Sequence, residues 1–464
     1  MSPPEDLRGH AVFSHSLFYV LLILLAAVTL GSFVFNGPAG WGAGFLYIAY
    51  DTCLLAFVAW ETHRLLGETA AASAPSDFRP TLSVLIAARN EAPVLPLCLD
   101  ALLNQTDPPE SIYVVDDGST DDTIRMLVAR YAVAFTENQG LSAREPRLRV
   151  WSKMHTGKAR SLNEVWPRVD ADVIVTIDAD TILEPEATAA VRRAFAEDAQ
   201  LAAACGVLTP RCRGGALARI FEMFQTYEYI RAFLSRLAWM RKDALLLISG
   251  AFAAYRKSAL ESIDGYDPTS LVEDYDLIHR LHRDAHRRGV VAHVRVIAGA
   301  RAETDAPAHL GTFLKQRQRW FSGFLQTQFK NRDMVGNPAF GKVGTMMLPI
   351  KTADMLQPIY GLAAFFLLLR LFASGRGISP WIVWVIGIKL ILDLIFHFWS
   401  VKLYYVWQGR RATASQWALA ALATMTEPIS FQLLRHAGAL IGWIGFLRGT
   451  NDWVPQREEN ANAH

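Results

Sequence analysis

Two long apolar stretches open the chain. Between Ser16 and Tyr50 there is no Asp, Glu, Lys or Arg, and the run is interrupted only at Asn36-Gly37-Pro38-Ala39-Gly40, a turn-forming string. Residues 16–35 and 41–60 are 20 residues each, enough to cross a hydrocarbon core of about 30 Å at ~1.5 Å per residue. The pattern predicts a helical hairpin of two spans. A cleaved signal peptide fits poorly, because the first run is too long and a second follows without a small-residue exit. From Glu61 to Phe340 charged residues take over, beginning with an Ala/Ser/Pro-rich linker at residues 67–80. Apolar runs return at residues 358–372, 381–400 and 417–446, the last broken at Glu427-Pro428. Five spans are expected, with four or six also compatible. The short turn at residues 36–40 has no basic residue, whereas residues 402–411 carry Lys402, Arg410 and Arg411 without an acid. By the positive-inside rule the polar segment then faces the cytosol.

Within that segment, residues 81–88, 111–115, 148–151 and 173–177 are short aliphatic and β-branched runs. Each leads into polar residues: Arg89-Asn90-Glu91, Asp116-Asp117-Gly118-Ser119, Gly157-Lys158 through Asn163, and Asp178-Ala179-Asp180. Helical segments alternate with them, which predicts an open, mostly parallel α/β sheet with its polar residues at the carboxyl ends of strands, where such sheets bind ligands. There is no GxGxxG after the first strand and no GxxxxGK[ST], so the dinucleotide and P-loop forms of this architecture lack their phosphate cradles.

Composition agrees with a membrane-embedded portion. The 464 residues are 52% hydrophobic and 19% charged, which excludes disorder and disulfide-scaffold classes. Forty-six Lys and Arg against 44 Asp and Glu leave a net charge of +2, so no basic field points to nucleic acid. Four cysteines without a CxxC pair read as reduced thiols.

The polar clusters suggest chemistry. Asp178 and Asp180 are two apart at a strand end, so both can offer hard oxygen ligands to one Mg²⁺ or Mn²⁺, with diphosphate and water completing the shell; such a pair alone is more often a solvated acidic turn, but the all-apolar strand before it and Asp116-Asp117 at an equivalent strand end favour the metal. Ser249-Gly250 lies in a small-residue strand that lets a substrate approach the backbone. Glu273-Asp274 opens a helix reaching about Arg288, either as favourable acids in a first turn or as a general base. In a helix over residues 310–330, Gln316, Arg319, Trp320 and Gly323 share one face. That stripe could hold diphosphate and a sugar ring, or lie at the membrane surface with Trp320 as an anchor.

In their order along the chain, these motifs resemble the membrane-embedded family 2 glycosyltransferases, the group that includes cellulose, chitin, hyaluronan and poly-N-acetylglucosamine synthases. The likeness runs from about Thr81 to Phe324 and includes the flanking spans. It implies a GT-A (Rossmann-like) α/β cytosolic domain flanked by transmembrane helices, a UDP-sugar donor, a divalent cation and inversion at the anomeric carbon. By position, Arg89, Asn90, Glu91, Asp116, Asp117, Lys158, Asp178, Gln316 and Arg319 would bind donor. Asp178 and Asp180 would hold the metal, Asp274 with Glu273 would be catalytic, and Ser249, Gly250 and Trp320 would meet the acceptor. Val272 stands where many members have Thr, which removes any acceptor contact from that hydroxyl. Length and span arrangement are most similar to the poly-N-acetylglucosamine synthase subgroup, with no regulatory domain expected after the last span.

The expected organisation is a hairpin (1–66), a GT-A domain (67–310), interfacial helices (311–355), further spans (356–447) and a tail (448–464). The expected activity is transfer of N-acetylglucosamine to a growing β-linked polysaccharide at a bacterial-type inner membrane, coupled to export and leaving room for a small membrane partner subunit. The alternatives are single transfer to a lipid acceptor and, more remotely, a non-catalytic sensor or transport protein. Asp51, Lys389 and Asp393 lie inside spans, where charges face a bundle interior or wet cavity. They suggest either a glycan passage or a plain Lys389–Asp393 pair. Residues 216–240 read as a packing helix. His279, His282 and His286, interleaved with arginines, read as a solvated basic face, and His155 as loop structure.

Overall fold

The computed structural model describes residues 5–35, 37–66, 78–374 and 379–449. Asn36 of the predicted turn, residues 67–77 of the predicted linker and residues 450–464 of the predicted tail lie outside the described residues. The chain divides into two compact units, one of residues 78–213 and 245–306, the other of residues 5–66, 214–244 and 307–449.

The first unit is built on a single ten-stranded sheet. Its strands are β1 (Leu82–Ala88), β2 (Ser111–Asp117), β3 (Val133–Thr136), β4 (Gln139–Ser142), β5 (Leu148–Lys153), β6 (Val173–Asp178), β7 (Ile182–Leu183), β8 (Leu201–Arg211), β9 (Phe252–Arg256) and β10 (His293–Asp305). The order is β3-β4-β5-β2-β1-β6-β9-β8-β10-β7. The four runs read from the sequence are the parallel centre, β5-β2-β1-β6. β1 and β6 are buried along nearly their whole length, as continuous aliphatic runs covered on both faces require, whereas β5 is only partly covered. Beyond β6 the sheet departs from the mostly parallel expectation. β9 runs antiparallel to both β6 and β8, and the β3-β4-β5 edge is also antiparallel, so the sheet is mixed. The cause is the small-residue strand β9, which inserts between β6 and β8 with Ala253 and Ala254 fully covered.

The second unit is helical. Among the described residues, helices at residues 12–34, 39–65 and 380–407 are long and apolar enough to cross a membrane, and a fourth span exists if residues 343–354 and 357–373, bent by 44°, act as one. Ile23, Leu30, Trp384 and Ile391 point outward, as lipid-facing side chains do. The expected fifth span is instead two helices, Ala414–Thr426 and Phe431–Arg448, separated at Glu427-Pro428, because proline removes a backbone donor. The Ala216–Met240 helix, contiguous in sequence with the sheet domain, groups with this helical unit. It packs there as expected, with Phe224 stacked on Phe431 at 5.0 Å and Phe221 edge-on to Phe313 at 5.6 Å.

Two glycines allow a close helix contact in this unit. A methyl group on Gly438 would stand 2.6 Å from Arg317 Cβ, and one on Gly442 2.9 Å from the Gln318 carbonyl oxygen. The Ser322 hydroxyl donates to the Gly442 carbonyl at 2.9 Å, so Phe431–Arg448 lies backbone to backbone against Leu310–Lys330. The charges inside the spans are paired: Lys389 Nζ lies 2.6 Å from Asp51 and also contacts Asp393. Thus the Lys389–Asp393 pair forms as expected, and Asp51 joins it.

This packing gives a stability prediction. Gly442→Ala overpacks the helix pair and should cost about 1–3 kcal/mol, lowering the unfolding midpoint of the detergent-solubilised chain by several degrees. Gly387→Ala, where an added methyl meets nothing within 4 Å, should leave the midpoint unchanged.

Candidate active site

The carboxyl ends of β1, β2 and β6 carry the polar clusters, and each is fixed by its neighbours. After β1, Asn90 takes a positive φ of 57° and its side-chain oxygen accepts the Thr120 N–H at 2.7 Å, tying the Arg89-Asn90-Glu91 turn to the loop after β2. The Glu91 N–H donates to the Thr123 hydroxyl at 2.9 Å. Asn90 therefore braces the loop with the atoms expected to meet a donor. Asp116 and Asp117 are both buried at the end of β2. Asp116 accepts from the Ser119 N–H at 3.2 Å and the Ser152 hydroxyl at 3.0 Å.

Asp117 gathers the Gly157 loop around itself. It accepts the N–H groups of Thr156 (2.8 Å) and Gly157 (2.9 Å), the Ser161 hydroxyl (2.9 Å) and a hydrogen bond with His155 Nδ1 (2.7 Å). Burial alone would raise its pKa, but these donors outweigh burial and hold the carboxyl below its usual range. His155 is thus a clamp on Asp117 rather than plain loop. Gly118, at φ +72°, is required here, since a Cβ would come within 2.8 Å of the His155 backbone nitrogen.

The clamped loop delivers Lys158 to the end of β6. Its ammonium lies 2.6 Å from Asp178 Oδ1, 3.2 Å from Glu273 and 3.5 Å from the Gly250 carbonyl. Burial favours the neutral amine, yet Asp178 and then Glu273 reverse the effect, so Lys158 stays a cation. Asp274, half-buried in the first turn of the Glu273–Arg288 helix, accepts the Gly250 N–H at 2.6 Å and the Tyr275 N–H at 2.8 Å. Burial first and Glu273 second push its pKa up to about 6. A Cβ at Gly250 would stand 3.0 Å from Asp274 Oδ2, so a side chain there would press on the carboxylate. Ser249 is half-buried beside it, and its carbonyl accepts the Phe252 N–H at 3.1 Å. Lys158, Asp178, Gly250, Glu273 and Asp274, scattered across 117 residues of sequence, therefore meet at one place.

Asp180 stands on the turn after β6 and accepts the Thr304 hydroxyl at 3.2 Å. Burial, then Asp178, then Asp305 raise its pKa to about 7. Thr304 and Asp305, at the end of β10, were missed in the sequence, although Glu303-Thr304-Asp305 is itself an acidic strand end. Among the described residues no group of three or more His, Cys, Asp and Glu is set around a single ion. Asp178 and Asp180 nonetheless fit a divalent cation by their chemistry, as hard oxygen donors crowded with like charge. The histidine expectation is corrected: His279 is fully buried, its ring edge-on to Tyr275 at 4.5 Å and its Nδ1 on the Tyr275 carbonyl, and burial lowers its pKa to about 4.

Gln316, Arg319 and Trp320 belong to the helical unit. Gln316 is buried, while Arg319 and Trp320 are partly exposed on the Leu310–Lys330 helix. Between them Arg317 points inward, bidentate to Glu228 of the Ala216–Met240 helix at 2.7 and 2.8 Å. Neither Arg317 nor Glu228 was singled out in the sequence.

Four similarities to known proteins follow the geometry. A poly-β-1,6-N-acetyl-D-glucosamine synthase of Staphylococcus epidermidis is 27% identical over 244 residues, 52% of this chain and 54% of that protein, so the chain spans about half the length of this relative. A hyaluronan synthase of Streptococcus pyogenes is 27% identical over 302 residues, 61% of this chain and 67% of that protein. The fold resembles that of a mannosyltransferase from Pyrobaculum calidifontis, solved with GDP-Man and Mn²⁺, at a TM-score of 0.52 and 21% identity over 89% of this chain and 99% of that one. The family model described as glycosyltransferase like family 2 matches residues 80–323, which contain every residue of the site. With more than half of its length matched, the chain belongs to the family 2 glycosyltransferases.

Proposed function

We propose that this chain is an inverting glycosyltransferase that moves a sugar, N-acetylglucosamine first among the candidates, from a UDP-sugar to the non-reducing end of a growing β-linked polysaccharide. The reaction runs on the cytosolic side of a bacterial-type inner membrane, and the product is exported as it grows. The observation that carries the proposal is the meeting of Asp274 with Lys158, Asp178 and Glu273 at the strand ends. The sugar rests on the poly-N-acetylglucosamine relative, and polymer synthesis on both synthases.

Asp274 is the base. Two backbone N–H groups fix its carboxylate, and its raised pKa brings its proton affinity toward that needed to take a proton from a sugar hydroxyl. The hydroxyl attacks C1 from the face opposite UDP, the C1–O bond to diphosphate breaks, and the configuration inverts without a covalent intermediate. Lys158 places a fixed positive charge beside the donor, and Arg319 serves the charge that develops on the departing diphosphate. Asp178 and Asp180 would hold Mg²⁺ or Mn²⁺, which when bound supplies Lewis-acid neutralisation of diphosphate. Trp320 offers a ring face to the acceptor sugar. Incubating the purified chain with a panel of UDP-sugars, and measuring UDP release and product length, tests the proposal: one sugar supports long products. Addition of a single sugar to a lipid would favour the lipid-acceptor reading.

Asp274→Asn keeps size and polarity but cannot take the proton, so turnover should fall by ~100-fold or more with UDP-sugar binding retained. Only ionised Asp274 is active, and its pKa is raised. The acid limb of kcat/KM should therefore fall as pH drops through about 6, not near the usual aspartate value of ~3.9. Asp180→Asn should abolish metal-stimulated UDP release while the chain stays folded. Full activity of that variant in EDTA would contradict a metal role.

A further inference from the structure

Arg317 sits three residues before Trp320 on the Leu310–Lys330 helix, in a setting that an ordinary buried ion pair does not need. Its guanidinium carbon lies 4.6 Å from the ring centroid of Trp320 and 4.6 Å from that of Phe313, so the planar cation occupies the space between two aromatic rings. Its two terminal nitrogens meet the two oxygens of Glu228 at 2.7 and 2.8 Å, and the side chains are only 10% and 14% exposed. Glu228 is itself held: Arg435 lies 3.6 Å from it and 3.1 Å from Glu427, which also binds Arg231 at 2.5 Å. From behind, Gly438 lets the neighbouring helix close to van der Waals distance of Arg317 Cβ.

These contacts fix the guanidinium plane, and the plane fixes the indole. A bidentate carboxylate sets the orientation of an arginine fork in a way that a single contact cannot. A cation seated over an aromatic face resists rotation of that ring out of contact. Lysine carries the same charge but has neither the fork nor the flat surface. As a contribution to stability alone such a buried pair is a weak device, because desolvation offsets most of its Coulombic gain. Its distinctive product is a defined geometry.

We infer that Arg317, oriented by Glu228, is a positioning residue for the acceptor: it covers one face of Trp320 and holds the ring so that the acceptor sugar stacks on the other. The inference rests on the proposed role of Trp320 as the acceptor's ring platform. It adds a division of labour within four consecutive residues, in which Arg319 serves the diphosphate and Arg317 serves the tryptophan.

The test uses the full chain in detergent, the UDP-sugar that supports turnover, and N-acetylglucosamine titrated as a soluble acceptor. Arg317→Lys should raise the acceptor KM about tenfold while the donor KM and the kcat at saturating acceptor stay within about twofold. Glu228→Gln, which keeps the shape and leaves Arg317 in place, should move the acceptor KM in the same direction and carries the test if Arg317→Lys does not accumulate. In a Trp320→Ala background, Arg317→Lys should add nothing, because the ring it positions is gone. If donor and acceptor parameters worsen together, or if the two substitutions multiply, Arg317 is a structural residue and the inference is overturned. If Trp320→Ala alone leaves the acceptor KM unchanged, the platform role fails and takes this inference with it. If Trp320→Ala raises that KM while neither Arg317→Lys nor Glu228→Gln does, only the inference fails.

Discussion

Carboxylates crowd the ends of β6 and the start of the Glu273–Arg288 helix, and a single lysine stands among them. Asp178, Asp180, Glu273 and Asp274 are half-buried, and Lys158 is in contact with two of them. Burial first and Glu273 second raise the proton affinity of Asp274, while Asp178 and Glu273 beside Lys158 keep it charged against burial. Much of the sheet domain serves to keep this arrangement in place. Asp117 ties down the loop that carries Lys158, Asn163 braces the turn at Tyr266 through both its amide atoms, and Gly250 leaves room for Asp274.

The helical unit applies a related economy to buried charge. Arg317, Glu228, Arg435, Glu427 and Arg231 alternate in sign along a chain of contacts, and Lys389 is shared by Asp51 and Asp393. No member of either group is left to face lipid alone, which is the condition for keeping charged side chains inside an apolar bundle. Close packing through Gly438 and Gly442 brings the helix with Arg435 near enough for the chain to form.

Much of this was legible in the sequence because its signals are local. A β-branched run followed by acids marks a strand end, and the centre of the sheet was read from four such runs. Acids at positions 273 and 274 mark a helix start, and the structure begins the helix at Glu273. What escaped depends on partners far away in the chain. Nothing local in the alanines of β8 and β9 says that these strands run antiparallel to each other. Glu228 and Arg231 looked like ordinary charges on a packing helix until Arg317 and Glu427 supplied their partners. His279 was read as solvated from its arginine neighbours, but its own position on the helix faces inward. Thr304 and Asp305 needed the fold to bring β10 beside Asp180.

In the proposed mechanism one fixed carboxylate, Asp274, activates the acceptor for direct displacement at the sugar's anomeric carbon. Stereochemistry reports on this most directly, because a single displacement inverts the centre and a double displacement through an enzyme nucleophile retains it. The measurement is the proton coupling at the anomeric position of the product formed from an α-linked UDP-sugar. A β linkage is the result predicted by the geometry at Asp274. An α linkage would contradict it and would require a covalent partner that the proposed mechanism does not contain.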